Sequence, residues 1–164
     1  MADSNIREHL TKLLSWDDAH ISFDSAVADL PVHLRGTNPA SLPYSPWQLV
    51  EHLRITQADI LDFCRNPNYR ELKWPDEYWP PSASPPDSPA WDKSVGEFLR
   101  DRAALQDLSR DPKITLEARI PHGEGQTYLR EILLAADHAA YHIGELVVVR
   151  RLLGAWPPAG TTNA

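Results

Sequence analysis

The segment TYLREILLAADHAAYHIGELVVVRRLLG, residues 127–154, decides the fold. Its apolar residues recur at steps of three and four, which is typical of an α-helix; they are Leu129, Ile132, Ala136, Ala139, Ile143 and Leu146. Four more apolar residues widen this stripe beyond one face: Leu134, Ala135, Val148 and Val149. A helix with so broad an apolar surface lies in a protein core or is covered by a partner subunit. We therefore predict a central helix over residues 128–153.

Fifteen prolines divide the rest of the 164-residue chain. Proline lacks a backbone N–H and clashes with the preceding turn, so a helix interior excludes it. Four long windows contain no proline: residues 1–30, 47–66, 90–111 and 122–156. These windows predict helices at about 4–30, 46–66, 89–110 and 128–153. We expect one all-α domain over residues 1–164, a four-helix bundle with long crossover connections.

The connection between the second and third predicted helices is long and rich in proline. It covers residues 67–88 and contains Trp74 and Trp79. A compact domain rarely keeps so long a loop without a reason. The two tryptophans either cover the mouth of a cavity or attach the loop to the protein surface.

Composition excludes several classes of protein. The chain is 42% hydrophobic and 24% charged, as in globular domains. Its net charge is −7 and it has no basic stripe, so we expect no nucleic-acid partner. No uninterrupted apolar run approaches the ~18 residues of a membrane span, and no secretory signal is visible. The single cysteine, Cys64, fits a reducing compartment and a core position. We expect a cytoplasmic protein without membrane contact.

Histidines point to a metal site. His138 and His142 lie four residues apart in the central helix, which places both imidazoles on one face. His52, in the second turn of the second helix, supplies a third imidazole from a neighbouring helix. Three such ligands leave coordination positions open, as catalytic sites require. Zinc or nickel suits imidazole best, with iron or manganese as alternatives; a hydrogen-bonded pair of core histidines is the competing interpretation.

Three further residues are candidates for a supporting role. Glu145, one turn after His142, either orients an imidazole or forms a salt bridge with an arginine such as Arg54 or Arg150. Asp59 shares the face of His52 and is a candidate for holding a metal-bound water, or else it is solvated. His20 lies in the apolar stripe predicted for the first helix and is buried or lines a cavity. No catalytic residue can be named.

Three motifs together resemble the DinB-like (YfiT-like) metalloprotein superfamily, which is unrelated to the DNA polymerase of similar name. They are SPWQLVEHL at residues 45–53, HAAYHIGEL at 138–146 and RRLLG at 150–154. The resemblance implies an up-down-down-up four-helix bundle, commonly dimeric, with a divalent metal on His52, His138 and His142. The chain departs from the family pattern at Ile143, where many members carry arginine.

The resemblance also suggests a reaction class, because family members of known activity include thiol S-transferases and an isomerase that use low-molecular-weight thiols. We expect a metal-dependent transferase or isomerase that acts with such a thiol on a small-molecule substrate. A metal-dependent hydrolase is a second chemistry that an open three-histidine site allows. A non-catalytic, metal-binding stress-response dimer is the alternative from another functional class. A homodimer is expected in either case.

Overall fold

The computed structural model describes residues 2–158, and this part of the chain contains helices and no β-strand. The helices are α1 (Ala2–Leu13), α2 (Phe23–Val27), α3 (Pro46–Arg65), α4 (Ala90–Arg110) and α5 (Tyr128–Leu152), with a 3-10 turn at Val32–Leu34. Between α4 and α5, an isolated antiparallel bridge joins Arg119 to Thr127. The all-α fold predicted from the sequence is confirmed.

The first predicted helix, at residues 4–30, is wrong as a single element, because α1 ends at Leu13 and α2 begins only at Phe23. Between them, the Trp16 indole donates a hydrogen bond to Asp18, and the Ser22 hydroxyl caps α2 by accepting from the backbone of Ser25. Serine and aspartate hydrogen-bond to nearby backbone and therefore favour turns and caps over helix interiors. The apolar spacing continues through this turn, although the helix does not.

Side-chain hydrogen bonds fix the direction of α1 relative to α4. The Arg7 guanidinium donates to the carbonyls of Ser109 and Asp111 at the end of α4. Gln106, about one turn earlier in α4, donates to the carbonyl of Thr11 near the end of α1. Because the pairing residue numbers rise in one helix and fall in the other, α1 and α4 run antiparallel.

Helices α3 and α4 run parallel, whereas α3 and α5 run antiparallel. Gln57 donates to the carbonyl of Phe98 at 2.7 Å, and Arg65 donates to that of Ala104 at 2.8 Å, so the numbers rise together. His52, near the start of α3, instead contacts His138 and His142 halfway along α5. Phe63, near the end of α3, packs against His122, which precedes α5. The four longer helices thus run up, down, down and up.

Two caps set the register of the helices that carry the predicted ligands. Ser45 accepts a hydrogen bond from the backbone N–H of Gln48, and the Gln48 side chain accepts from the backbone of Ser45. With Pro46 in the first turn, this capping box fixes where α3 begins. Thr127 caps α5 by accepting from the backbone of Arg130. Local sequence signals therefore fix where α3 and α5 begin.

The buried apolar residues form two clusters along the helices. One surrounds the start of α3 and the end of α5, and it includes Phe23, Trp47, Leu53, Phe98, Ile143 and Leu146. The other lies at the opposite end and includes Leu10, Ile60, Cys64, Leu105, Leu116 and Ile132. His52 directly precedes Leu53 of the first cluster, whereas His138 and His142 lie between Ile132 of the second cluster and Leu146 of the first.

Helix α5 is, among residues 2–158, the one helix that is long and apolar enough to cross a membrane by length and composition. Core helices of soluble proteins pass the same test. α5 also carries three buried polar residues, Glu131, His142 and Arg150, and its Arg150 guanidinium bonds to carbonyls of the α2 region. The composition of α5 is therefore weak support for a membrane span.

Candidate metal centre

The structure brings His52, His138 and His142 together through one atom of each ring. The Nε2 atom of His52 lies 3.1 Å from Nε2 of His138 and 3.2 Å from Nε2 of His142. One possible ligand atom from each of the three residues lies within 4.8 Å of those of the other two. Three imidazoles from α3 and α5 thus converge on one point.

Hydrogen bonds at the other ring nitrogens determine which tautomers two of the histidines adopt. Nδ1 of His52 lies 2.8 Å from the main-chain oxygen of Tyr78, which can only accept. Nδ1 of His142 lies 2.6 Å from a carboxylate oxygen of Glu145. Each Nδ1 must therefore carry a proton, and in its neutral form each ring presents the bare lone pair of its Nε2 to the centre of the cluster.

This arrangement fits a divalent cation. Two lone pairs that face each other at 3.2 Å, as in His52 and His142, repel unless a positive charge lies between them. Metal–nitrogen bonds of ~2.05 Å would reach from one ion to ligand nitrogens 3.1–3.2 Å apart, as in the pairs that His52 forms with His138 and with His142. The cluster can hold a divalent metal ion with positions left open.

Burial keeps two of the ligand rings, those of His52 and His138, in the neutral form that binds metal. Burial lowers the pKa of His52 to about 4, the neighbouring His142 lowers it too, and the Tyr78 carbonyl and Glu145 oppose this. Burial lowers the pKa of His138 to about 3, and the other two histidines contribute to this shift. A proton therefore does not compete for these rings at neutral pH.

Glu145 and Tyr44 form a short chain of hydrogen bonds behind His142. Glu145 accepts from His142 through one oxygen and from the Tyr44 hydroxyl, at 2.8 Å, through the other. Burial and the Glu145 carboxylate raise the pKa of Tyr44 to about 12. Glu145 forms neither salt bridge considered from the sequence, because Arg54 pairs with Glu51 and Arg150 bonds to main-chain carbonyls. Its partners are the His142 imidazole and the Tyr44 hydroxyl.

The proline-rich loop packs directly on the candidate metal centre. The Trp79 indole stacks on the His52 ring, with centroids 3.8 Å apart and planes 4° from parallel. Tyr78 supplies the carbonyl that accepts from His52. Trp74, in contrast, is 71% exposed. Of the two tryptophans noted in the sequence, Trp79 is the one that contacts the site.

Asp59 does not contact the histidines. Its two carboxylate oxygens accept hydrogen bonds from the hydroxyls of Tyr69 and Tyr78, at 2.9 and 2.8 Å. Thr56 lies one helical turn after His52, and its buried hydroxyl oxygen makes no hydrogen bond to the described residues. Asp59 thus holds the loop, whereas Thr56 has an unused donor and acceptor one turn from a ligand.

His20 lies apart from the other candidates. It belongs to the turn between α1 and α2, is exposed, and its Nδ1 contacts the carbonyl of Ile21 at 2.9 Å. It lines a cavity of about 580 Å³ between α1, α4 and α5, whose walls include Leu14, Phe98 and Ile143. The expectation that His20 lies in the apolar stripe of a long first helix is wrong, because that helix ends at Leu13.

Two contributors to the site, Tyr78 and Tyr44, were not predicted from the sequence, and Trp79 was predicted only as one of two tryptophans that either cover a cavity or attach the loop. Tyr78 accepts the hydrogen bond of His52 through its main-chain oxygen, and a main-chain contact leaves no signature in the sequence. Trp79 and Tyr44 depend on how two loops fold back over α3 and α5. The position of Tyr44 immediately before the α3 cap was the one local signal that could have indicated its proximity to the site.

Comparison with protein-family models gives a match to the DinB superfamily over residues 16–146, a region that includes all three histidines. No curated protein matches the chain, and no solved structure does. The match covers most of the sequence. The helical fold agrees with it, and the histidine cluster is compatible with the metal binding of this family. The chain therefore belongs to the DinB superfamily.

Proposed function

We propose that the protein binds one divalent metal ion through the Nε2 atoms of His52, His138 and His142. The observation that carries this proposal is the meeting of bare Nε2 lone pairs at 3.2 Å, with each Nδ1–H held by an acceptor. Zinc or nickel is the expected ion, with iron or manganese as alternatives, because neutral imidazole suits these metals. Three protein ligands leave room for an exogenous ligand.

We further propose that the site supports a transferase reaction with a low-molecular-weight thiol. A metal bound there would lower the pKa of a coordinated thiol or water. Glu145 holds the Nδ1 proton of His142, and the Tyr78 carbonyl holds that of His52, so both rings keep their lone pairs directed at the centre. Trp79 covers one face of His52 and excludes water from it. The resemblance to thiol-using family members supports the choice of substrate class.

A thiol-conjugation screen tests this proposal. The purified protein, loaded with zinc or nickel, is incubated with electrophilic substrates and a panel of cellular thiols, with and without a chelator. We expect turnover that the chelator removes and that His52→Ala, His138→Ala and His142→Ala abolish. Turnover of ester or amide substrates without any thiol would instead indicate the metal-dependent hydrolase.

One observation favours the alternative, a non-catalytic metal-binding stress-response protein. Glu145, the carboxylate that contacts a ligand histidine, is already engaged by His142 and Tyr44, and Asp59 is engaged by two tyrosines. Neither of these two carboxylates has a free oxygen to point at the histidine cluster, since both oxygens of each have a partner. Stoichiometric metal binding without turnover in the screen would select this alternative.

We also propose a homodimer formed through the outer face of α5. Four large apolar residues are exposed on this helix: Leu133 at 44%, Tyr141 at 64%, Val148 at 49% and Leu152 at 54%. Gly144 lies among them with open space around its Cα, so a second helix can approach closely. We expect sedimentation equilibrium to give a dimer, and Val148→Asp to give a monomer with unchanged metal content. The cytoplasmic location stays a prediction.

A further inference from the structure

We propose that Asp59 is a positioning residue for the metal centre, acting through Tyr78 to hold the proline-rich loop against α3. The inference rests on the proposed metal binding and concerns how tightly His52 is oriented for it. Asp59 itself touches no histidine. Its effect passes through Tyr78, which contacts both Asp59 and His52 on α3.

Tyr78 makes those two contacts. Its hydroxyl donates to Asp59 at 2.8 Å, and its main-chain oxygen accepts from Nδ1 of His52 at 2.8 Å. His52 and Asp59 are seven residues apart, which is two helical turns, so both lie on one face of α3 about 10.5 Å apart along its axis. Tyr78 therefore spans this face, and its side chain fixes the position of its own carbonyl.

The loop segment 69–78, which ends in Tyr78, is attached to α3 at both of its ends. Tyr69 donates to the second oxygen of Asp59 at 2.9 Å, so both ends of residues 69–78 are attached to one carboxylate. Within the segment, Glu77 pairs with Arg70 at 3.0 Å and accepts from the backbone N–H of Lys73 at 2.7 Å. The carboxylate of Asp59 is thus the point at which the segment is held to α3.

The same attachment places Trp79 on the ligand ring. Trp79 follows Tyr78 directly and stacks on His52 at 3.8 Å between centroids. The Tyr78 carbonyl restrains the imidazole within its plane, and the Trp79 indole restrains it against tilting. His52 is the ring whose Nε2 contacts both other ligand nitrogens, so a loss of this restraint reaches the whole centre.

Tyr78→Phe tests the inference, because it removes the hydroxyl and keeps the main-chain carbonyl. We measure the Kd for Zn²⁺ by competition with a chromophoric chelator, the visible absorption of the Co²⁺ form, and the melting temperature of the metal-free protein. Outer partners of metal ligands typically contribute 10–100-fold in affinity. We expect Tyr78→Phe to raise the Kd about 10-fold, Asp59→Ala to raise it at least as much, and both to alter the Co²⁺ spectrum.

Tyr128→Phe is the matched control, because Tyr128 packs at the other core cluster, away from the histidines. We expect its Kd and Co²⁺ spectrum to equal those of the wild type. A Tyr78→Phe variant that melts lower without metal yet keeps the wild-type Kd and spectrum overturns the inference and leaves the metal site standing. A wild-type protein that binds no Zn²⁺ or Co²⁺ overturns the proposed function as well. If Asp59→Ala fails to fold, Tyr78→Phe decides alone.

Discussion

Replacing Glu145 with alanine removes two hydrogen bonds beside the histidine cluster, one to His142 and one to Tyr44. One restrains the His142 ring at 2.6 Å, and the other satisfies the Tyr44 hydroxyl at 2.8 Å. Without the carboxylate, His142 is free to rotate and to exchange its tautomer, so its Nε2 lone pair no longer points reliably at the metal. The substitution therefore reduces metal affinity and, separately, leaves a partly buried hydroxyl without a partner.

Both effects can be given a size. Loss of an outer partner costs 10–100-fold in metal affinity, or about 1.4–2.7 kcal/mol. An unpaired buried hydroxyl costs about 1–3 kcal/mol of folding stability. We expect Glu145→Ala to raise the Kd for Zn²⁺ by 10–100-fold, and to lower the free energy of unfolding of the metal-free protein by about 1–2 kcal/mol. Tyr44→Phe should affect affinity less than 10-fold.

Chelator competition measures the first quantity and urea unfolding of the metal-free protein the second. Glu51→Ala is the control, because Glu51 is a carboxylate adjacent to His52 that pairs with Arg54 at 2.6 Å and does not contact a histidine. We expect its Kd to change less than 2-fold, because Glu51 and Arg54 pair with each other and not with a ligand histidine. Equal Kd values for Glu51→Ala and Glu145→Ala would refute the reasoning, because net charge would then explain the effect without the hydrogen bond.

Three further predictions concern the scaffold. Arg150 donates to three main-chain carbonyls and is fully buried. Arg150→Met should therefore lower the free energy of unfolding in urea by about 3–5 kcal/mol. Arg151 is exposed, so Arg151→Met should change that free energy by less than about 0.5 kcal/mol. Burial raises the pKa of Cys64 to about 12. An aromatic disulfide that releases a coloured thiolate on reaction should therefore label Cys64 at pH 8 only after denaturation, as measured by absorbance. Ser45→Ala removes the α3 cap and should lower stability by about 1 kcal/mol; an unchanged urea midpoint would contradict it.

Much of the site follows from helical periodicity and caps. The four-residue spacing of His138 and His142 fixes a shared face of α5, and the Ser45 capping box fixes the position of His52 in α3. These are local signals, so the sequence contains them in full. Pairing His52 with α5 needs in addition that the two helices pack antiparallel, which the family resemblance implied and the contacts show.

Two parts of the structure could not be read from local patterns. The apolar spacing of the first window continues through Trp16 and His20, although Ser22 starts a new helix and the chain turns before it. The acceptor for His52 is the main chain of Tyr78, 26 residues away in a loop. Its position depends on the tertiary contact of the Tyr78 hydroxyl with Asp59, which no spacing in the sequence encodes.

The metal content of the protein tests the central claim most directly. The measurement is elemental analysis of untagged protein, purified without a metal column and then saturated with zinc and desalted, alongside a variant that combines His52→Ala, His138→Ala and His142→Ala. We predict one divalent ion per chain in the wild type and none in the triple variant. Equal metal content in the two proteins, or none in the wild type, would contradict the account.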